Sequence, residues 1–258
     1  MSDITISQPV HWFSAQDSNV GVVRKINEDS ILSLPQTQLW AVADGMGGYE
    51  AGNVASNMIV KTLASMTVNS SSLDELINCV EDSLNDANRQ ILEYADNKLD
   101  SRTLGSTVVT LIIKGHSGAC LWAGDSRLYR FRDNQLSQIS RDHSQVEELL
   151  TAGIISAEEA KNHPNSNVIT RAIGTNRDLC IDIDVFSACT GDTFLLCSDG
   201  LYNMLSNDEI AATIANFPIN EAVARLIQKA LDNGANDNVS VILVKGETQA
   251  SSSVQVTE

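Results

Sequence analysis

Histidine, basic side chains and paired cysteines are all scarce in this sequence, and each scarcity removes a class of function. Four histidines are scattered over 258 residues, too few for a zinc site without supporting cysteine pairs. The five cysteines, Cys79, Cys120, Cys180, Cys189 and Cys197, are odd in number and never form a Cys-x-x-Cys pair. Most lie in apolar segments, where a free thiol behaves as a small buried hydrophobe. Against 33 Asp and Glu there are only 17 Lys and Arg, leaving a net charge of -16 and a pI near 4.5. Such a surface repels nucleic-acid phosphates and anionic membranes, so neither is an expected partner. No apolar run reaches membrane-spanning length, and the first residues lack a basic-then-apolar signal pattern. The expectation is a reduced, cytoplasmic protein.

What is present describes a folded chain. Hydrophobic residues make up 43% and charged residues 19%, which excludes a disordered protein, and the length suits one large domain or two small ones. Strands are expected at 10–15 and, as a hairpin across Pro35, at 30–34 and 39–43. Ala55, Met58, Ile59, Leu63 and Met66 recur at helical spacing and predict a helix over 52–67. A second follows, capped by Ser72 with Glu75, with Leu73, Leu76, Ile77, Val80, Leu84, Ala87 and Ile91 on one face. The segments 106–113, 117–123, 128–131 and 136–139 are short strands with no room for crossover helices, which predicts antiparallel pairing. From Arg141 to Arg171 large apolar residues thin out, and the stretch reads as a surface flap with two short helical pieces. Strands return at 181–186 and 193–197, then two helices, the first capped by Ser206 and Glu209, and a last strand at 239–244. The lead-in 1–8 and the Ser-rich tail 248–258 are expected to be disordered. Helices segregated around antiparallel strands define an α+β layered domain.

One local pattern repeats. Leu39-Trp40-Ala41-Val42-Ala43 is an apolar run ending on Asp44-Gly45-Met46-Gly47-Gly48. Residues 194–198 run into Asp199-Gly200, residues 120–124 run into Asp125-Ser126-Arg127, and Asp237-Asn238 precedes the last strand. Asp-Gly is a common turn dipeptide, and each acid taken singly reads as a turn or cap residue. Four acids all following or abutting buried strands are harder to assign to turns. Carboxylates and exposed carbonyls at one sheet edge would suit a hard cation such as Mg²⁺ or Mn²⁺. Two such ions close together are a device for attacking phosphoesters.

With Arg24, Asn27-Glu28-Asp29, Leu104-Gly105-Ser106-Thr107, Asp142-His143-Ser144, Ile169-Thr170-Arg171-Ala172-Ile173-Gly174 and Ser198-Asp199-Gly200 added in order, residues 10–244 resemble the metal-dependent Ser/Thr protein phosphatases of type 2C, in their bacterial branch. The resemblance implies two stacked antiparallel β-sheets flanked by helices on both sides, in a single catalytic domain over 1–247 with a flap at about 142–171. It implies hydrolysis of phosphoserine and phosphothreonine by a hydroxide bridging two Mg²⁺ or Mn²⁺ ions. Asp44 would bridge both metals, the Gly45 carbonyl would bind the second, and Asp199 and Asp237 would complete the first. Asp125 with Asp199 matches a third, weaker metal site of bacterial members. Glu28 would hold water on the metals, with Asp29 behind them. Substrates would be phosphorylated proteins, in the context of a cognate Ser/Thr kinase.

Two residues mark the limits of the resemblance. Eukaryotic members place a histidine in the glycine-rich turn as a proton donor, and this chain has Met46 there, which cannot transfer a proton. The general acid is therefore unassigned. Arg24, whose planar guanidinium can clamp two phosphate oxygens, is the phosphate-binding candidate; by itself it would read as a solvated charge beside Lys25. Arg127 is expected to tie down its loop, and His143, at a loop-to-helix junction, to be structural or capping. The rival functions are a non-catalytic interaction module with the same fold and a phosphatase of small metabolites.

Overall fold

The computed structural model describes residues 10–47, 52–67, 72–98, 103–161 and 163–248. The expected lead-in and all of the expected tail except Thr248 lie outside them. Strands β1 (Val10–Asn19), β2 (Asp29–Leu34) and β3 (Leu39–Gly47) precede helices α1 (Gly52–Ala64) and α2 (Leu73–Lys98). Five strands follow: β4 (Leu104–Ser106), β5 (Val108–Lys114), β6 (Ser117–Ala123), β7 (Arg127–Arg132) and β8 (Gln135–Gln138). The flap carries α3 (Gln145–Thr151) and α4 (Ala157–Lys161). Strands β9 (Asp182–Ser187) and β10 (Thr193–Cys197), helices α5 (Asp199–Tyr202), α6 (Asn207–Asn216) and α7 (Ile219–Asp232), and β11 (Val239–Thr248) complete the chain.

The helices start where their caps say. The Ser206 hydroxyl accepts from the Glu209 amide while the Glu209 carboxylate accepts from the Ser206 amide, so two of the orphan donors at the start of α6 are satisfied reciprocally. Ser72 accepts from the Glu75 amide ahead of α2, and Ser144 accepts from the Glu147 amide ahead of α3.

Two antiparallel sheets result, in the orders β1-β11-β10-β7-β8 and β2-β3-β5-β6-β9, with β4 paired to the far end of β3. The apolar runs are continuous because both faces of the central strands are buried. Along β3, Trp40 and Val42 point between the sheets, where they meet Phe194, Leu196 and Ile242. Leu39, Ala41 and Ala43 point the other way, into the layer formed by α1 and α2. On the second sheet Leu195, Val241 and Leu243 pack under α6 and α7. The implied pair of stacked sheets with helices outside both is what the chain builds.

Two expectations are corrected. Strands β6 and β7 are not a hairpin. They lie in different sheets, so Gly124-Asp125-Ser126 crosses from one layer to the other. A short connection looks the same in sequence whether it turns back or crosses over. The apolar run at 39–43 also does not stop at Asp44: β3 continues to Gly47, where Gly45, Met46 and Gly47 pair with Ser106, Gly105 and Leu104. The expected strand 106–113 is accordingly split at Thr107. Thr107 N donates to Asp44 O (2.8 Å) while Asp44 N donates to the Thr107 hydroxyl (3.1 Å). The Ser106 hydroxyl also donates to Asp44 O (2.9 Å). Asp44 thus projects from backbone held on both sides.

Candidate active site

The four repeated acids leave the two sheets at one end. Asp44 projects from β3, Asp125 from the crossover, Asp199 from the first residue of α5, and Asp237 from the loop entering β11. Gly200 follows Asp199 because a Cβ there would stand 2.0 Å from the Asn238 carbonyl oxygen. Only glycine lets these two segments approach.

The segment between β1 and β2 is drawn to the same place by Asn238. Its side-chain oxygen accepts from Glu28 N (2.8 Å), and its amide donates to the carbonyls of Val20 (2.9 Å) and Ile26 (3.0 Å). Glu28 in turn accepts from the Gly52 amide at the start of α1 (2.9 Å). Arg24 Nη2 donates to Asp237 Oδ2 at 2.7 Å, and this pairing holds the guanidinium pKa above its ordinary value.

A cleft of about 290 Å³ is lined by seven of the eight predicted site residues: Arg24, Glu28, Asp44, Gly45, Asp125, Asp199 and Asp237. Asp29 is not in the lining. It pairs with Asp44 across β2 and β3 and is buried, its Oδ2 accepting from the Ser198 and Ser240 hydroxyls, each at 2.7 Å. Met46 and Thr107 complete the wall, and Asn167 and Ile169 bring the flap to its rim. The lining holds no histidine, lysine, tyrosine or cysteine among the described residues. A larger concavity, about 500 Å³ beside Trp12, Phe13 and Pro218, has no such convergence. Its one cation and one anion, Lys245 and Glu247, pair with each other at 3.0 Å.

Burial and mutual repulsion load the cleft acids. Burial, then the charges of Asp125, Asp237 and Asp29, push Asp199 up to about 7. Burial, then Asp142, pushes Asp125 up to about 6, and burial pushes Asp29 up to about 6. Asp44 is held well above the usual carboxylate range by burial and by the charges of Asp29 and Asp199. Asp199 Oδ1 and Asp29 Oδ1 are buried with no hydrogen-bond partner. Carboxylates crowded with orphaned oxygens are a poor structural arrangement and a good receptor for positive charge. Among the described residues no three acidic, histidine or cysteine side chains close on a single point. The oxygen donors are spread around the cleft, as suits small hard ions that keep several waters.

Two of the flagged polar residues lie outside the cleft. Arg127 forks onto Asp142 (2.7 and 2.9 Å), donates to the Tyr129 hydroxyl (2.8 Å) and stacks 3.5 Å over the Tyr202 ring. It fastens the base of the flap, as expected. His143 is buried against Trp122. Ser240 was missed, and Asn238 and Ser198, though part of the quoted motifs, were given no role of their own. The Asp237-Asn238 pair was visible, but the carbonyls that Asn238 ties lie over 200 positions away.

The chain belongs to the protein phosphatase 2C family, whose model matches residues 23–243. It is a serine/threonine protein phosphatase of the bacterial type. Serine/threonine phosphatase stp of Listeria welshimeri is 37% identical over 232 residues, covering 87% of this chain and 92% of that protein. The solved structure of PppA, a key regulatory component of T6SS in Pseudomonas aeruginosa, is 38% identical with a TM-score of 0.84, over 93% of this chain and all of that one. The catalytic domain of the serine/threonine protein phosphatase PstP, solved in complex with two manganese ions, is 32% identical with a TM-score of 0.83, over 92% of this chain and 99% of that one. No helix among the described residues is long and apolar enough to cross a membrane.

Proposed function

We propose that the acid-lined cleft is where phosphoserine and phosphothreonine of protein substrates are hydrolysed, with two Mg²⁺ or Mn²⁺ ions held by Asp44, the Gly45 carbonyl, Asp199 and Asp237. A third, weaker ion would use Asp125 with Asp199. The observation that carries this reading is the convergence of four carboxylates from four separate segments on one cleft, with two buried carboxylate oxygens near it left unpartnered. The all-oxygen donor set fits these metals, and the two manganese ions of PstP support it. When bound, the ions would supply Lewis acidity and a water-derived nucleophile.

The remaining steps belong to the chain. Asp44 presents its carboxylate from backbone fixed by Ser106 and Thr107, so little reorganisation is needed on binding. Arg24, at the cleft mouth, orients the phosphoryl group and balances its charge. Glu28 holds water at the rim, and Asp29, on β2, stands beside Asp44. With Met46 in the wall and no histidine or lysine among the described lining residues, the leaving oxygen takes its proton from water or from a group the lining does not single out. Asn167 and Ile169 line the cleft, and on that ground we assign substrate selection to the flap, and the phosphoproteins to those of a cognate Ser/Thr kinase.

The test is Mn²⁺- or Mg²⁺-dependent hydrolysis of an aryl phosphate. Activity should vanish with chelator and in both Asp44→Asn and Asp237→Asn. Activity surviving both substitutions would sink the metal assignment. A panel of phosphopeptides against sugar and nucleotide phosphates separates a protein phosphatase from one acting on metabolites.

A further inference from the structure

The crossover that delivers Asp125 is held on its far side by the Tyr202 hydroxyl, which donates to Asp125 O at 3.0 Å, and at Gly124 by His143. Gly124 N donates to His143 Nδ1 at 3.1 Å, and His143 N donates to Gly124 O at 2.9 Å. Gly124 has φ +114, in the left-handed region, and a Cβ there would lie 2.6 Å from Thr107. The turn therefore admits only glycine here, and the two hydrogen bonds fix the course of a residue that is otherwise free to turn. A backbone N–H can only donate, so Nδ1 must present its lone pair. Asp182 Oδ2 lies 3.1 Å from Nε2 and can only accept, so the proton is on Nε2. Arg171, 3.4 Å from Nε2, is turned to the other Asp182 oxygen at 2.7 Å.

The ring is otherwise enclosed. It stacks on Trp122 with centroids 5.9 Å apart and planes at 14°. Trp122 Nε1 donates to Arg141 O, and Thr170 N donates to His143 O, so both ends of the flap are tied at the Trp122–His143 stack. The charged groups facing it are Asp182 from β9 and Arg171 and Asp142 from the flap. Burial, with Arg171, lowers the imidazole pKa, while Asp182 opposes this.

We propose that His143 is a positioning residue, whose Nδ1 lone pair fixes the Gly124–Asp125 backbone and so aims the Asp125 carboxylate into the cleft. The step from backbone to function rests on the reading of Asp125 as a ligand. The hydrogen bond itself does not.

Imidazole nitrogen spectra of the full chain at neutral pH, recorded with no added metal, should show His143 protonated at Nε2 and bare at Nδ1. The Gly124 amide should exchange slowly. A proton on Nδ1, or a freely exchanging Gly124 amide, overturns the proposal. His143→Phe keeps the stack on Trp122 but has no acceptor. It should lower kcat/KM about 10- to 100-fold, the range found when a group orienting a metal ligand is lost. His143→Asn, which restores an acceptor near Nδ1, should recover most of it. In an Asp125→Asn background the same His143→Phe change should cost less than about twofold, because the two residues act as one unit. Equal losses in both backgrounds would mean general damage, and no loss in the parent would mean no role. If Asp125→Asn by itself changes nothing, the ligand reading of Asp125 fails, and the nitrogen spectra still decide the hydrogen bond. Should His143→Phe not fold, Asp182→Leu removes the Nε2 acceptor. Nδ1 should stay bare, because the Gly124 N–H still needs its lone pair, and a proton that moves to Nδ1 would count against the assignment.

Discussion

Consider Asp199→Asn in protein stripped of divalent cations. Burial and the charges of Asp125, Asp237 and Asp29 raise the Asp199 carboxyl from 3.8 to about 7. Its folded pKa therefore lies above the unfolded one, and between those values the folded chain binds more protons. Stability must fall as pH rises through that window. The penalty is complete above pH 7 and absent below about pH 4. A difference of about three pH units corresponds to about 4 kcal/mol, which is a ceiling for one group. The acids raise one another, so relaxing one recovers part of this, and about 2 kcal/mol is the expected gain. The substituted amide can still accept from Asn203 Nδ2, which stands 3.1 Å from Asp199 Oδ2.

At pH 8 in chelator, Asp199→Asn should therefore melt about 4–8 °C above the parent, at 2–4 °C per kcal/mol for a chain of this size. At pH 5 the gap should shrink to less than half, and it should close only below about pH 4, where the carboxyl is protonated in the unfolded chain too. With Mn²⁺ at about a hundred times its dissociation constant the order should invert. The parent then gains about 2.7 kcal/mol by mass action, and the variant gains less. Thermal unfolding followed by circular dichroism under the three conditions is sufficient. A variant less stable than the parent at pH 8 in chelator, or a gap that ignores pH, would refute the view that burial and neighbouring charges destabilise the ionised Asp199.

Three other perturbations test separate parts of the structure. Gly200→Ala drives a Cβ to 2.0 Å from the Asn238 carbonyl oxygen; the backbone must shift, and a loss of at least about 3 kcal/mol is expected from urea unfolding. Arg24→Lys keeps the charge but loses the planar fork, so kcat/KM for an aryl phosphate should fall about tenfold or more; an unchanged value would remove Arg24 from the substrate. Trp40 is fully buried with its indole N–H unpartnered, so Trp40→Phe should stay within about 1.5 kcal/mol of the parent while Trp40→Ala loses about 3–5 kcal/mol.

The layers were legible where one residue's environment is decided by its near neighbours. The helical stripe from Leu73 to Ile91 and the serine caps before α2 and α6 are local signals, and the helices stand where those signals put them. The closure of two sheets is not local. Nothing between Ala123 and Arg127 distinguishes a hairpin from a passage between layers, because both need a short polar link with a glycine. What decides is the inter-sheet packing of Trp40, Trp122 and Phe194, contributed by segments far apart in sequence. The same limit hid the setting of Asp29, whose carboxylate is held by Ser198 and Ser240, 169 and 211 residues further on.

Asp44 shows why single motifs were ambiguous and their sum was not. As Asp-Gly after an apolar run it has an ordinary turn reading, and that reading is physically wrong here: the glycines continue the strand and pair with Leu104 to Ser106. A turn would have left the Asp44 backbone exposed and its carboxylate free to swing into solvent. In the strand the backbone is bonded to Ser106 and Thr107, so the carboxylate stays in the cleft despite burial and three or four like charges around it. Repulsion of that size persists only if the fold over-determines the position of each acid. Here Asn238, the Gly200 contact and the His143 grip on Gly124 are the restraints for three of the four segments. Met46 occupies the same strand and faces the same cleft, so the place where a proton donor could stand is filled by a side chain that can only pack.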